Sequence, residues 1–196
     1  MIDVASVGSI IDGAGALPHH ELHGYIPGPA ESHHLFGAAF LFIGVLLIVE
    51  TLAGSVWHRN RLRTTIWPAA IMSLGAGMVA VTALEPDDRL IHFTIGMIML
   101  AAGWLEYRHR MGEVPRRTAD LLIVPALIAS GLEISVFHFH GSFNNFGAVH
   151  VLLGVTTAVM ALVRVYQSRL LTSPPRHALM GVMVIALAFE LMALSH

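Results

Sequence analysis

The chain has 196 residues, of which 55% are hydrophobic and only 12% are charged, with a mean hydropathy of +0.69. Too little polar surface is available to cover a water-soluble globule of this size, so the composition excludes an ordinary soluble enzyme and favours a membrane protein. The formal net charge is -2 and no lysine is present, which excludes a nucleic-acid-binding protein with a basic surface. The absence of cysteine also excludes disulfides and thiolate metal sites.

Residues 1–32 form a polar segment, rich in glycine and proline, that precedes the first apolar stretch. The segment has no basic residue and therefore lacks the charged start of a cleavable signal peptide. We expect it to be an extracytoplasmic arm. Its run His19-His20-Glu21-Leu22-His23 is typical of a short tract that binds Cu or Zn weakly.

Six apolar stretches follow, each long enough to cross a bilayer core of about 30 Å, which needs roughly 20 residues of helix. They lie at about 34–57, 65–84, 90–107, 118–138, 147–166 and 177–195. The segments between them are short and carry proline or acidic residues, as expected where helices end. The sequence therefore predicts an all-α, polytopic membrane protein with one six-helix transmembrane domain over residues 33–196.

The arginines predict the orientation of this bundle. All but Arg89 lie in or beside the first, third and fifth loops. By the positive-inside rule those loops are cytoplasmic, so both the N-terminus and the C-terminus are expected outside. We expect a multi-pass protein of a bacterial inner membrane or an equivalent plasma membrane. Its partners would be the lipid bilayer and a metal ion; a homo-oligomer or a second membrane protein stays open.

Histidines and glutamates crowd at the predicted outer end of the bundle, at similar depths if each residue rises about 1.5 Å along its helix. Imidazole and carboxylate groups together form the ligand set of metals such as Zn, Fe and Cu(II). We therefore predict a bound transition-metal ion (Cu, Zn or Fe) with a structural, redox or metal-handling role. Whether the protein is an enzyme stays open. The candidate ligands are His33, His34, His92, Glu133, His138, His140, His150 and Glu190.

A local pattern, H-x-x-x-G, recurs at helix starts. Histidine and glycine four residues apart share one helical face, so the glycine admits a neighbouring helix while the histidine points into the same interface. Packing of small residues would account for any single copy. Three copies at one end, near buried carboxylates, favour a shared metal or proton site. The pattern spans 33–37, 92–96 and 150–154 at the predicted outer end, and 177–181 at the other.

Carboxylates within the apolar stretches are a second functional signal. An ionisable side chain at bilayer depth costs about 2.5–3.5 kcal/mol, so Glu50, Glu133 and Glu190 are candidates for function. Glu106 is directly followed by Tyr107 and an arginine. We therefore expect its side chain to reach the interface and to take no part in a buried site.

The segment Glu133-Ile-Ser-Val-Phe-His138-Phe-His140, with His150 at the head of the next helix, resembles the transmembrane protein 45 family, in a shorter bacterial-like form. Members of that family carry a helix with a Glu, then H-x-H, a polar loop and another His. The starts His33-His34-Leu35-Phe36-Gly37 and Ile91-His92-Phe93-Thr94 are similar to other family helix starts. The resemblance covers about four of the six spans and implies a multi-span protein with this His/Glu constellation, but no particular reaction.

Three other functions remain open. Paired histidines from different helices could ligate haem b in an electron-transfer protein, with His177 as the one candidate at the inner end. A metal or proton transporter could use Glu190 and Glu133 as an outer station and Glu50 as an inner one. In a third alternative, histidines and glutamates only form hydrogen bonds between helices, and the protein scaffolds partners.

Overall fold

The computed structural model describes residues 29–82, 89–137, 145–170 and 174–194, and within these ranges the chain is helical without strands. The predicted arm lies almost wholly outside the described residues. The helices are α1 (Pro29–Ala53), α2 (Ser55–His58), α3 (Arg61–Thr82), α4 (Arg89–Arg110), α5 (Arg116–Phe137), α6 (Asn145–Leu170) and α7 (Pro174–Ala193). Five of them, α1 and α3 to α6, are long and apolar enough to cross a membrane. The all-α prediction is confirmed, and these helices fit a multi-pass membrane protein.

The first predicted span, 34–57, was drawn too long. Helix α1 ends at Ala53 because Gly54 adopts a positive φ of 52°, a backbone conformation that favours glycine and terminates helices. The one-turn helix α2 follows. Asn60 directly precedes α3 and caps its start, because its side-chain oxygen accepts a hydrogen bond from the Leu62 backbone N–H at 2.9 Å. Glu50 therefore lies in the last turn of the first long helix.

The six long helices form a closed ring in chain order. Each packs against the next, and α7 returns to pack against α1. Three pairs are the tightest: α7 with α1, α3 with α4, and α5 with α6. The seams between these pairs are looser, and helices on opposite sides of the ring make no close backbone contact in the described part of the chain. The ring therefore encloses a central cavity.

Glycines make the three tight pairs possible. A Cβ added to Gly75 of α3 would lie 2.6 Å from the carbonyl oxygen of Gly96 on α4, so the two backbones are in direct contact. Gly44 of α1 meets Gly181 of α7 in the same way. The glycine of every H-x-x-x-G copy lies at such an interface (Gly37, Gly96, Gly154 and Gly181). The glycine of the motif thus serves the packing of neighbouring helices, and this packing does not explain the histidine.

The outside of the ring is apolar. Large side chains such as Leu52 (79% exposed), Leu90 (76%) and Leu121 (73%) point away from the bundle. A contiguous apolar exterior of this kind is unfavourable in water and suits contact with lipid. The polar chemistry must therefore be sought inside the ring.

Candidate functional site

The central cavity has a volume of about 250 Å³ and is lined by all six long helices. Its two ends are polar, whereas the walls between are almost entirely apolar. His33, His92 and His150 lie at one end, which we call the histidine end. Glu106 and Arg164 lie at the other, the arginine end. His92 and Glu106 are 14 residues apart on α4, and His150 and Arg164 are 14 residues apart on α6. At a rise of about 1.5 Å per residue, the two ends of the cavity are roughly 21 Å apart.

The three histidines approach the cavity from α1, α4 and α6, which are alternate helices of the ring. The imidazoles of His33 and His150 are closest, with ring centroids 6.4 Å apart and planes inclined by 75°. His92 is near enough to His33 for the two to interact electrostatically. His150 is only 5% exposed, whereas His33 and His92 are partly exposed. Each tight helix pair therefore contributes one imidazole to this end of the cavity.

As the side chains stand, no group of three His, Asp or Glu residues within the described ranges is close enough to hold a metal ion. Binding an ion at the histidine end would therefore require the imidazole nitrogens to come closer together than they stand. His138 and His140, two of the predicted ligands, lie outside the described residues.

The other predicted ligands do not line the cavity. His34 points away from it, with its Nε2 3.2 Å from the carbonyl oxygen of Met192 at the end of α7. Glu190 lies between α6 and α7, where one carboxylate oxygen accepts a hydrogen bond from the Thr156 hydroxyl at 2.8 Å. Its other oxygen is buried and has no hydrogen-bond partner among the described residues. Glu133 is half-buried on α5, beside rather than on the wall formed by Ile134.

The arginine end is built around Glu106, and our expectation for this residue was wrong. Its side chain does not reach the interface, because it points into the ring and the residue is only 2% exposed. Arg164 of α6 donates to its carboxylate at 2.5 Å and Arg110 of α4 at 3.1 Å, while Arg116 of α5 lies 3.6 Å away. Cations from three helices therefore compensate the burial of one carboxylate.

Two further carboxylates extend this network. Glu50 accepts hydrogen bonds from Arg110 at 2.5 Å and from the Trp67 indole N–H at 2.8 Å. Asp120 accepts from Arg116 at 3.0 Å and Arg164 at 2.8 Å. We define the ion-pair network as these three carboxylates and three guanidiniums, whose charges balance. If Glu50 were the inner metal or proton site of a transporter, its carboxylate would first have to break its ion pair with Arg110.

Sequence reasoning missed Asp120 altogether. The one signal it offered was an acidic residue four positions after Arg116, a spacing that places both on one helical face. That spacing is common on exposed helices and does not reveal that the pair faces a ring interior. Only the arrangement of the neighbouring helices distinguishes the two cases.

A second, more polar cavity of about 730 Å³ lies beyond the ion-pair network. It is lined by charged and polar side chains that include Arg61, His58 and Thr64. Trp67, Glu106 and Arg164 line both this cavity and the central one. The ion-pair network is therefore the wall between an apolar space and a polar one.

No family model, curated protein or solved structure matches the chain. The transmembrane protein 45 resemblance thus stays a prediction. The function must be argued from the geometry of the two cavity ends.

Proposed function

We propose that the chain is an integral membrane protein that binds a transition-metal ion (Cu, Zn or Fe) at the histidine end of its helix ring. The observation that carries the proposal is the convergence of His33, His92 and His150 from three alternate helices on one end of one cavity. Imidazole is a good ligand for all three metals, and three histidines suffice for a zinc site with an open fourth position. The bound metal would have a structural, redox or metal-handling role.

Further donors could join the three histidines. Helix α5 begins with Arg116 in the ion-pair network and therefore runs toward the histidine end, so His138 and His140 follow its last turn. Glu133 is one turn earlier on the same helix. These residues are the ones by which the chain resembles the transmembrane protein 45 family. Under this proposal the histidine end faces outward, an orientation supported by the arginines gathered toward the opposite end.

Haem b is the second candidate, because two imidazoles from different helices lie near each other. The ring centroids of His33 and His150 are 6.4 Å apart. These two residues would hold the haem iron, which would supply electron-transfer chemistry. His92 would then be a neighbour of the haem rather than a ligand.

The test is elemental analysis of the detergent-purified protein, with its visible absorption spectrum. We expect about one metal ion per chain and no Soret band. His150→Ala, and His33→Ala combined with His92→Ala, should each lower metal occupancy at least tenfold. The control is His109→Ala at the opposite end, where the side chain contacts the Val114 carbonyl oxygen at 3.0 Å; its metal content should not change.

Each result decides between the candidates. A Soret band lost in His33→Ala and His150→Ala, but kept in His92→Ala, would replace the metal ion by haem b. Wild-type protein that stays metal-free after dialysis against Cu, Zn and Fe salts, and shows no Soret band, would contradict both. Histidine variants that lose folding stability without any change in metal content would favour a structural role for the imidazoles.

A further inference from the structure

The walls of the central cavity are a second unexplained feature, independent of any metal. We infer that this cavity binds a neutral lipid with a single extended apolar chain and a hydroxyl or carbonyl head, with the head at the histidine end. The inference rests on the cavity's shape, its wall chemistry, its charge balance and a route of access from the bilayer.

The shape of the cavity fits one extended chain. Its volume of about 250 Å³ is drawn out over roughly 21 Å, more than twice the diameter of a sphere of that volume. Residues three or four apart on the same helix line it from end to end, as in the series Phe36, Phe40, Ile43 and Leu47 on α1. A compact ligand would leave much of this length unfilled.

The walls are apolar along nearly the whole length. Between the two ends the ligand would meet side chains such as Phe40, Ile95, Leu127 and Leu153. Apolar pockets with a few polar groups at one place are typical of sites for apolar ligands, because the walls supply affinity and the polar groups fix the orientation. The polar groups at the head end are the imidazoles of His33, His92 and His150, whose ring N–H groups can donate a hydrogen bond.

Charge balance indicates that the ligand is neutral. At the arginine end Glu106 and Arg164 bond to each other, and the whole ion-pair network contains as many guanidiniums as carboxylates. A charged head would therefore find no unpaired opposite charge there. At the histidine end no guanidinium is among the described lining residues, and burying an uncompensated charge in an apolar medium is costly.

Lipid can reach the cavity sideways. Among neighbouring long helices, α1 and α3 make the sparsest contact. The tight pairs are held by glycine contacts, whereas this seam is not. A chain entering from the bilayer would therefore pass between two pairs without breaking one.

The test is binding of tritiated farnesol, a neutral alcohol with one apolar chain, to the full chain in detergent, with empty micelles as the blank. We expect saturable binding of about one molecule per chain. Ala102→Phe fills the cavity about one helical turn before Glu106, where the end of the chain would lie, and should weaken binding at least tenfold. The matched control is Ala101→Phe, on the exposed outer face of the same helix, which should stay within twofold of wild type.

A second pair of variants, on α5, keeps the test valid if Ala102→Phe prevents the protein from folding. Leu127→Phe narrows the neighbouring wall formed by α5, and Ile128→Phe adds the same bulk on the exposed side of that helix. Loss of farnesol binding in both cavity variants, with unchanged gel-filtration profiles, supports the proposal. Absence of saturable binding to wild type, or equal binding by Ala102→Phe and Ala101→Phe, overturns it. Tighter binding of palmitate than of farnesol would overturn the assignment of a neutral head.

This proposal and the metal proposal fail separately. Ala102→Phe lies far from the histidines and should keep the wild-type metal content. A protein that binds farnesol but no metal would contradict the metal site alone. One that binds metal but no farnesol would contradict the lipid site alone.

Discussion

The two ends of the central cavity contain ionisable groups of different composition. At the arginine end every carboxylate of the ion-pair network has a guanidinium hydrogen-bonded to it within 3.1 Å. At the histidine end three imidazoles line the cavity, two of them with ring centroids 6.4 Å apart, and no carboxylate is among the described lining residues there. A network whose charges balance internally has little left to offer a ligand. The arginine end therefore stabilises the ring, and the histidine end is where we propose that a ligand binds.

The ion-pair network also explains how the ring stays closed at its arginine end. Its members come from α1, α4, α5 and α6, and Trp67 and the Thr64 carbonyl oxygen add contacts from α3. The guanidinium of Arg110 also stacks over the Trp67 ring, 4.7 Å from its centre. Five of the six long helices thus meet in one set of bonds. Two of the three looser seams, α1 with α3 and α4 with α5, are fastened here.

The largest expected effect comes from making the same substitution at both ends. Glu106→Gln removes the carboxylate that faces three arginines, and breaking a buried ion pair in this way should lower the free energy of unfolding by about 3–5 kcal/mol. Glu190→Gln keeps an oxygen that can accept the Thr156 hydrogen bond, so it should cost less than about 1 kcal/mol. Denaturation in mixed micelles measures both. Equal losses would show that the two ends do not differ in the way described.

A smaller effect is expected where the helix pairs touch. Gly75→Ala places a Cβ 2.6 Å from the Gly96 carbonyl oxygen and 2.7 Å from the Leu100 nitrogen. Since backbone atoms cannot move aside cheaply, the free energy of unfolding should fall by about 1–3 kcal/mol. Gly77→Ala, on the same helix with open space at its Cα, is the control and should be neutral or slightly stabilising. If both glycines tolerate alanine equally, the close approach of α3 and α4 is wrong.

The smallest effect concerns the histidine-end carboxylate. Thr156→Val deletes the described hydrogen bond to Glu190 and should reduce the free energy of unfolding by about 1 kcal/mol. Its neighbour Thr157 bonds within its own helix to the Leu153 carbonyl oxygen, at 2.8 Å. Thr157→Val should therefore cost less, because that carbonyl keeps its helical hydrogen bond. The reverse order would mean that Glu190 finds its main partner elsewhere.

Several features of the fold could be predicted from residues alone. Long apolar stretches bounded by proline, glycine and arginine located six helices, and the H-x-x-x-G copies located glycines at helix contacts. The clustering of His33, His92 and His150 at one end also followed, because helices that alternate in direction bring the starts of every second long helix to the same side. The break at Gly54 was missed, since the apolar run continues beyond it to Trp57.

The polar interior was beyond the reach of the same reasoning. Glu106 and Asp120 look like interfacial or surface residues, because charged neighbours follow or precede them in sequence. Conversely, Glu133 and His34 look like members of the histidine cluster but do not line the cavity. One helical position is a turn of about 100°, so a neighbour of a cavity-lining residue faces a different helix or lipid. The depth of a residue in the bundle follows from its position along the helix. The direction of its side chain depends on how that helix is rotated about its own axis.

The sequence by itself determined that this protein is a set of apolar helices with histidines at one end and arginines toward the other, because helix length, hydropathy and residue order are local properties. The tertiary structure alone decided that the helices close into a ring around a long cavity, and that the charged groups at its arginine end satisfy one another. The physical reason is that a carboxylate can lie in an apolar surrounding only where cations from other helices reach it, and no single segment encodes where those helices will stand.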